Sequence, residues 1–487
     1  MRGGAFTLGA QFASLAMHIV STAILSRLLI DDDFGLVALV ASFIGVILIV
    51  KDAGFAQSVV QRDTITHEQV STLFWLNIAL SLLAAGVCAA LAPVMVALFG
   101  RPELLLITMS MAAAAFVGSF GGIHRAMMQR QMRLGSLSMS QMTAQGGSIA
   151  IAALLAWWGF GYWALVAMQF SRVAIDVLWV LVACRWLPGP PRRGTGAGGM
   201  ARFGAYMIGH SLISYGGRNL DNLLVGGWLG TAMLGQYTRA YGLLLMPIQQ
   251  FTAPLGRVAI PTLSRLVNTD RDRYARVYLR LLGLLAMVTI PMVATLMAAA
   301  HPLVRTLLGP GWEYVPETFR WLGLAAIAQP LTGTLSWLML AEGRAKEQFW
   351  YSCIYFALLL ACFLAATPFG IVVLAMAYGL SGIFLRSPLA AYLVLRRSPV
   401  GLTSFAKALA PGMVAAALAY AAGSLAVWAM SGSPSPVVLA AALAASGMSA
   451  GACYMLVTPW RQRLLGSRQW LKELRTPKDT TRAATSR

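Results

Sequence analysis

Long apolar runs alternate with short polar breaks from one end of the chain to the other. Fourteen apolar segments stand out, at approximately 6–30, 34–50, 71–98, 104–123, 142–158, 162–184, 204–230, 236–260, 277–299, 319–340, 349–367, 371–395, 405–430 and 437–459. Each is close to the roughly 20 residues with which a helix crosses about 30 Å of hydrocarbon. The pattern predicts an all-α polytopic membrane protein with about 14 transmembrane helices. Composition agrees. Of 487 residues, 58% are hydrophobic and 11% charged, less than half of the roughly 25% charged residues of soluble domains. So few charges would leave large apolar patches in water, which excludes a soluble enzyme.

The formal net charge of +20 changes the picture through its distribution. When the loops are marked alternately, Arg2, Lys51, Arg62, Arg125, Arg130, Arg133, Arg185, Arg192, Arg193 and Arg202 fall on one side. Arg257, Arg265, Arg271, Arg273, Arg276, Arg280, Arg344, Lys346, Arg396, Arg397, Lys407 and the tail after Trp460 follow on that side. The opposite loops hold little more than Arg27, Arg101, Arg305 and Arg320. Basic short loops stay cytoplasmic, so both termini are expected inside, and the charge reads as a topology signal with some attraction to anionic lipid. Nucleic acid is not an expected partner. The first apolar run has no small-x-small cleavage site before Asp31-Asp32-Asp33 and reads as a retained span. The five cysteines sit within or at the ends of apolar segments without metal-ligand spacing.

An internal repeat organises the chain. Gly4-Ala5-Phe6-Thr7-Leu8-Gly9 matches Gly204-Ala205-Tyr206-Met207-Ile208-Gly209 at an offset of 200, and Phe34-Gly35 matches Leu234-Gly235 in the same register. With a small slip, Leu98-Phe99-Gly100 matches Leu307-Leu308-Gly309, and Gly161 matches Gly370. Each unit holds six spans, so the repeats are parallel, an arrangement that builds two lobes around a central cavity. The expected organisation is a six-helix lobe at 1–187, a linker at 188–201, a second six-helix lobe at 202–397, an appended helix pair at 398–460 and a basic tail at 461–487.

Intramembrane polar residues default to functional hypotheses because they are costly there. In the first span Gln11, Ser14, His18, Ser21 and Thr22 share one helical face, and the repeat places Ser211, Ser214, Arg218, Asp221 and Asn222 equivalently in the seventh. Two readings stand. The duplicated stripe lines the cavity between lobes, or Arg218 and Asp221 form a structural ion pair while the rest tie helices together. Arg172 and Asp176, four apart, are placed to neutralise each other. Arg386 is expected to snorkel. Arg239, between Tyr237 and Tyr241, either guides a phosphate or anchors at the interface. Pro247, Pro254 and Pro261 recur every seven residues and would bend the eighth span, with Pro247 and Pro254 as gating candidates. Thr262–Arg280 reads either as an amphipathic surface helix or as a solvated topology anchor. No phosphate loop, dinucleotide fingerprint or metal cluster appears, so no catalytic residue, metal or cofactor is assigned. ATP hydrolysis within the chain is excluded, and transport would draw on an ion gradient, membrane potential or the substrate's own gradient.

The stretch Ser26-Arg27-Leu28-Leu29…Asp33-Phe34-Gly35-Leu36-Val37-Ala38 resembles the first-loop signature of Wzx-type polysaccharide exporters. These are lipid-linked oligosaccharide flippases of the multidrug/oligosaccharidyl-lipid/polysaccharide superfamily, and the likeness is to the branch handling exopolysaccharides such as colanic acid. Asp52-Ala53-Gly54-Phe55…Gln61-Arg62, Arg130-Gln131-Met132-Arg133, Arg218-Asn219-Leu220-Asp221-Asn222…Leu234-Gly235-Gln236-Tyr237-Thr238-Arg239-Ala240-Tyr241 and Pro254…Arg257-Val258…Pro261 extend it over roughly residues 1–400. The resemblance implies a transporter of the bacterial inner membrane, not an enzyme. Its substrate would be an undecaprenyl-diphosphate-linked repeat unit moved by alternating access for exopolysaccharide or lipopolysaccharide synthesis. Its further partners would be membrane lipids, the polysaccharide polymerase and the chain-length machinery. Arg218 would pair the diphosphate, with Asn219, Asp221, Asn222, His18, Ser14, Ser214, Arg239 and Arg172 as cavity residues. The alternatives are a drug or cation antiporter of the same superfamily, a peptidoglycan-precursor flippase, and a membrane polymerase or ligase, which should show a large outer loop.

Overall fold

A computed structural model describes residues 2–51, 59, 65–191, 215–217, 219–267 and 269–465. Among these the chain is predominantly helical without strands, and nine of its helices are long and apolar enough to cross a membrane. The protein is a multi-pass, all-α membrane protein. The helices are α1 (Arg2–Leu28), α2 (Asp31–Lys51), α3 (His67–Phe99), α4 (Glu103–Arg130), α5 (Leu134–Trp157) and α6 (Tyr162–Cys184). They continue with α7 (219–228), α8 (Thr231–Leu266), α9 (Arg271–Ala298), α10 (Ala300–Leu307), α11 (Val315–Ala341), α12 (Ala345–Ala366), α13 (Ile371–Leu395), α14 (Leu402–Ala429), α15 (Ser435–Leu456) and α16 (Thr458–Leu465).

Local chemistry sets the ends. Thr66 and Gln69 form a reciprocal capping box at the start of α3, and Gly100 closes it in the left-handed conformation. Asp270 caps α9 by accepting from the Arg273 backbone N–H at 2.8 Å. The glycines matched in the repeat share a backbone state. Gly100 and Gly309 have φ of 66° and 87°, and Gly161 and Gly370 have 53° and 98°. A side chain is disfavoured at all four, so the repeat is written into the turns as well as the sequence.

The chain forms two compact units. The first comprises Met1–Gly242, Leu307–Thr318 and Ser352–Ala377. In it α3 packs on α4, α4 and α5 on α6, α1 on α5, and α2 on α3, α4 and α6. The second comprises Leu243–Thr306, Phe319–Tyr351 and Tyr378–Arg487. There α14 packs on α9 and on α15. Small residues allow the approach: a Cβ on Gly412 would stand 2.6 Å from the Ala286 carbonyl oxygen, and one on Gly283 would stand 3.4 Å from that of Ala408. Ser446 donates to the Ala419 carbonyl and Tyr454 to that of Met287, at 2.8 and 2.7 Å.

Four expectations are corrected. Thr262–Arg280 is not a separate surface helix: α8 runs on to Leu266 and α9 begins at Arg271, with Arg265, Arg271 and Arg273 exposed, as the reading of a solvated topology anchor has it. Arg386 does not snorkel. It is 3% exposed, donates to the Tyr378 carbonyl at 2.5 Å and lies 4.4 Å from the Tyr378 ring centroid. It sits in a π-helical turn, Gly382–Arg386, just before Pro388; the wider turn accommodates a proline that cannot donate and would crowd a regular helix. Arg172 is not the partner of Asp176, which instead pairs with Arg125 and accepts from Ser140. Arg125 is consequently a residue of the α4 body rather than of a basic loop, because a carboxylate on α6 gives it an ion-pair partner there.

Candidate functional site

The first unit brings together two equivalent turns, those at 31–35 and 231–235, at one end of its helices. The turn before α2 and the turn before α8 are repeat equivalents, and their first turns cross. A Cβ on Gly35 would collide with the carbonyl oxygen of Thr231, and one on Gly235 with that of Asp31. Since 35 and 235, and 31 and 231, are each 200 apart, the two contacts are the same contact seen from either repeat. Only glycine permits backbones this close.

Polar groups lock the crossing. The Arg101 guanidinium donates to Asp32 at 2.5 and 3.3 Å, to Thr231 at 3.1 Å and to Glu103 at 3.3 Å. Thr231 also donates to Asp32. The Asp32 hydrogen bond holds Arg101 above its ordinary pKa. Gln236 donates to Asp31 at 3.1 Å and to the Gly311 carbonyl at 2.8 Å. Beside them Trp312 donates to the Ser26 carbonyl at 3.0 Å and packs on Phe34, whose other neighbour is Arg239, its guanidinium carbon 3.9 Å from the ring centroid. Arg239 thus makes a cation–π contact at this crossing. The arrangement forms a clasp between the two turns.

A second assembly lies among α1, α4, α5 and α6, a chamber of about 580 Å³. Ser14 donates to the Gln145 side chain at 2.7 Å and Gln145 returns a bond to the Ser14 carbonyl at 3.0 Å, fastening α1 to α5. His18, Arg172, Gln141 and Gln169 share the wall with the Arg125–Asp176 pair. With Asp176 matched to Arg125, Arg172 makes the wall net cationic, and three side-chain amides supply both donors and acceptors. Such a lining suits a neutral hydroxyl-rich group carrying an anion. His18, Ser14 and Arg172 are therefore brought together.

Asn219, Asp221 and Asn222 lie elsewhere, between helices. Asp221 is 4% exposed, and its carboxylate accepts from the Tyr237 hydroxyl at 2.8 Å and the Asn222 N–H at 2.9 Å. Asn222 donates to Ser42 on α2, and Asn219 to the Tyr215 carbonyl, both at 3.0 Å. Tyr215 itself donates to the Ala41 carbonyl. These contacts tie α7 to α2 and α8. Pro247, Pro254 and Pro261 are all carried inside the unbroken α8. Arg218, Ser214, Ser211 and His210 lie outside the described residues, as does the side chain of Gln11.

Sequence reasoning missed Asp32, Arg101, Thr231 and Gln236 as a group, and Arg125 and Asp176 as partners. The paired glycines were visible as a repeat match. That they touch each other was not, because a match at long offset does not say which copies meet.

The sequence profile of the polysaccharide biosynthesis protein family matches residues 24–316, more than half of the chain. The teichuronic acid biosynthesis protein TuaB of Bacillus subtilis is 26% identical over 309 residues, covering 62% of this chain and 63% of that protein. The chain thus spans less than two thirds of that relative. The lipopolysaccharide biosynthesis protein WzxC of Escherichia coli is 22% identical over 349 residues, covering 70% of this chain and 71% of that one. Among solved structures, the lipid II flippase MurJ in an inward closed conformation aligns over 85% of this chain and 92% of its own, with a TM-score of 0.69 and 13% identity. That likeness concerns the fold.

Proposed function

Because the chain belongs to the polysaccharide biosynthesis protein family, we propose that it is an exporter rather than an enzyme. It turns a polyprenyl-diphosphate-linked oligosaccharide repeat unit from the inner to the outer leaflet of a bacterial inner membrane by alternating access. The observation that carries the reading is the clasp, in which equivalent turns of the two repeats meet through Gly35 and Gly235. A crossing of two symmetry-related helix starts held by polar bonds is the kind of contact that one state of an alternating-access cycle makes and the other releases. The names of the relatives, which place them in teichuronic acid and lipopolysaccharide biosynthesis, favour a glycan cargo.

In this reading the lobes are 1–187 and 202–397, joined by 188–201, with 398–460 as an appended pair and a basic tail at 461–487. The basic loops and both termini are cytoplasmic, which puts the clasp on the outer side. A diphosphate crossing hydrocarbon needs its charge compensated. Arg218 and Arg172 supply it, while the amides and hydroxyls around His18 and Ser14 bind sugar. Asn219, Asp221 and Asn222 fix α7 against α2 and α8, Arg218 and Ser214 are further cavity residues, and Arg239, held on Phe34, belongs to the clasp that gates the cavity. Pro247 and Pro254 give α8 its bending points, and a polymerase receives the product outside.

The test is a lipid extract from cells lacking the gene, complemented with wild type or Arg172→Ala. Diphosphate-linked oligosaccharide should accumulate without wild type and persist with the variant at unchanged protein level. Normal exopolysaccharide output and no accumulation in the deletion would overturn the reading, and drug and ion flux would then be measured.

A further inference from the structure

A pocket of about 630 Å³ in the second unit is formed by α9, α14 and α16 and shares no residue with the two assemblies above. Its residues are graded along α9. Arg276 and Arg280 are one turn apart on the face that continues through Gly283 to Met287. Lys407 on α14 joins the two arginines, and none of the lining residues is acidic. Farther along α9 the wall is apolar, with Gly283, Leu284 and Met287, while Ser404 and Gln462 complete the lining. From Arg276 to Met287 the helix rises about 16 Å, close to half of the roughly 30 Å hydrocarbon thickness. The pocket is therefore cationic at its rim and apolar along one leaflet's depth.

We propose that this pocket is a binding site for an anionic phospholipid, the phosphate held by Arg276, Arg280 and Lys407 and an acyl chain lying along Gly283 and Met287. A free phosphate has no use for the apolar shaft, and a neutral lipid none for three cations. Basic pockets between transmembrane helices recognise lipid phosphates through this combination. The bound lipid would bridge α9 to α14, and so fasten the appended helix pair to the helix that carries it. The site needs no transport substrate.

The full-length protein, purified in detergent and reconstituted in phosphatidylcholine nanodiscs with graded phosphatidylglycerol, would be examined by native mass spectrometry for retained lipid. Wild type should prefer phosphatidylglycerol by about tenfold or more, given the attraction that each basic residue adds at a lipid surface. Arg276→Gln/Arg280→Gln/Lys407→Gln should lose the preference. Should the triple variant fail to fold, Lys407→Glu alone, at an exposed position, should cut it several-fold. Retention of the preference by these variants would overturn the proposal. Displacement of the lipid by millimolar inorganic phosphate would reassign the pocket to a phosphate ion, and displacement by an equimolar polyprenyl diphosphate would reassign it to cargo. Loss of lipid binding with normal export would leave the exporter reading untouched.

Discussion

Gly35→Ala and Gly235→Ala test the clasp most directly. In each case the new methyl group meets a backbone carbonyl, Thr231 or Asp31, so no rotamer change relieves it. Restoring van der Waals distance needs the helix starts to part by on the order of 1–2 Å. Overpacking of this kind costs about 1–3 kcal/mol. At about 1.4 kcal/mol per decade, a 2 kcal/mol cost lowers the closed-to-open ratio roughly 30-fold. Alanine also raises helix propensity by up to about 1 kcal/mol, but that gain is present whether the clasp is shut or open and cancels from the equilibrium. Protein level should therefore hold while gating shifts. The assay replaces the five cysteines, places one at Gln236, 3% exposed in the clasp, and follows its labelling by a membrane-impermeant maleimide. Either alanine should raise the labelling rate at least tenfold and lower export. Because the two contacts part together, the double variant should label hardly faster than a single one. Unchanged labelling and export in both singles, or fully additive effects in the double, would refute the reasoning.

Asp32→Asn should weaken the same closure by about 1–2 kcal/mol, since a charge-assisted bond to a partly exposed Arg101 is lost; labelling at position 236 reads it, with a smaller rise than for Gly35→Ala. Gln145→Leu removes the reciprocal bonds to Ser14 and should cost about 1–2 kcal/mol of thermal stability while reducing export. Glu342 accepts from Tyr274, Arg344 and Ser398, so Glu342→Ala should destabilise the second unit by about 2–3 kcal/mol, measured by unfolding in detergent. Asp176→Asn leaves Arg125 without its ion pair and should lower expression more than the double variant Asp176→Asn/Arg125→Met does, which a quantitative blot resolves.

Much of the fold was legible in the chain because a bilayer imposes one rule on every segment. An apolar run of about 20 residues can satisfy its backbone only as a helix or a closed barrel, so hydropathy alone placed the nine helices that are long and apolar enough to cross among the described residues. The segment read at 371–395 returned as α13, Ile371–Leu395. Turn chemistry was equally local: the repeat-matched glycines at 100, 161, 309 and 370 all have positive φ. The short-range pairing rule failed at Arg172 and Asp176. Four residues apart on one helix, they were natural partners, yet the carboxylate turned to Arg125 and Ser140 on neighbouring helices. Arg386 failed in the same way, since a ring and a carbonyl two turns back gave its charge a place inside.

By itself the sequence determined the class, the positions of most helices, the internal duplication and the family likeness, because each depends on composition, periodicity or local backbone preference. Only the tertiary structure decided that Gly35 rests on Thr231 and Gly235 on Asp31, that Arg101 spans both turns, and that Arg276, Arg280 and Lys407 share one pocket. Those are contacts between residues far apart in the chain, chosen by which helix faces pack together, and no local period encodes that choice.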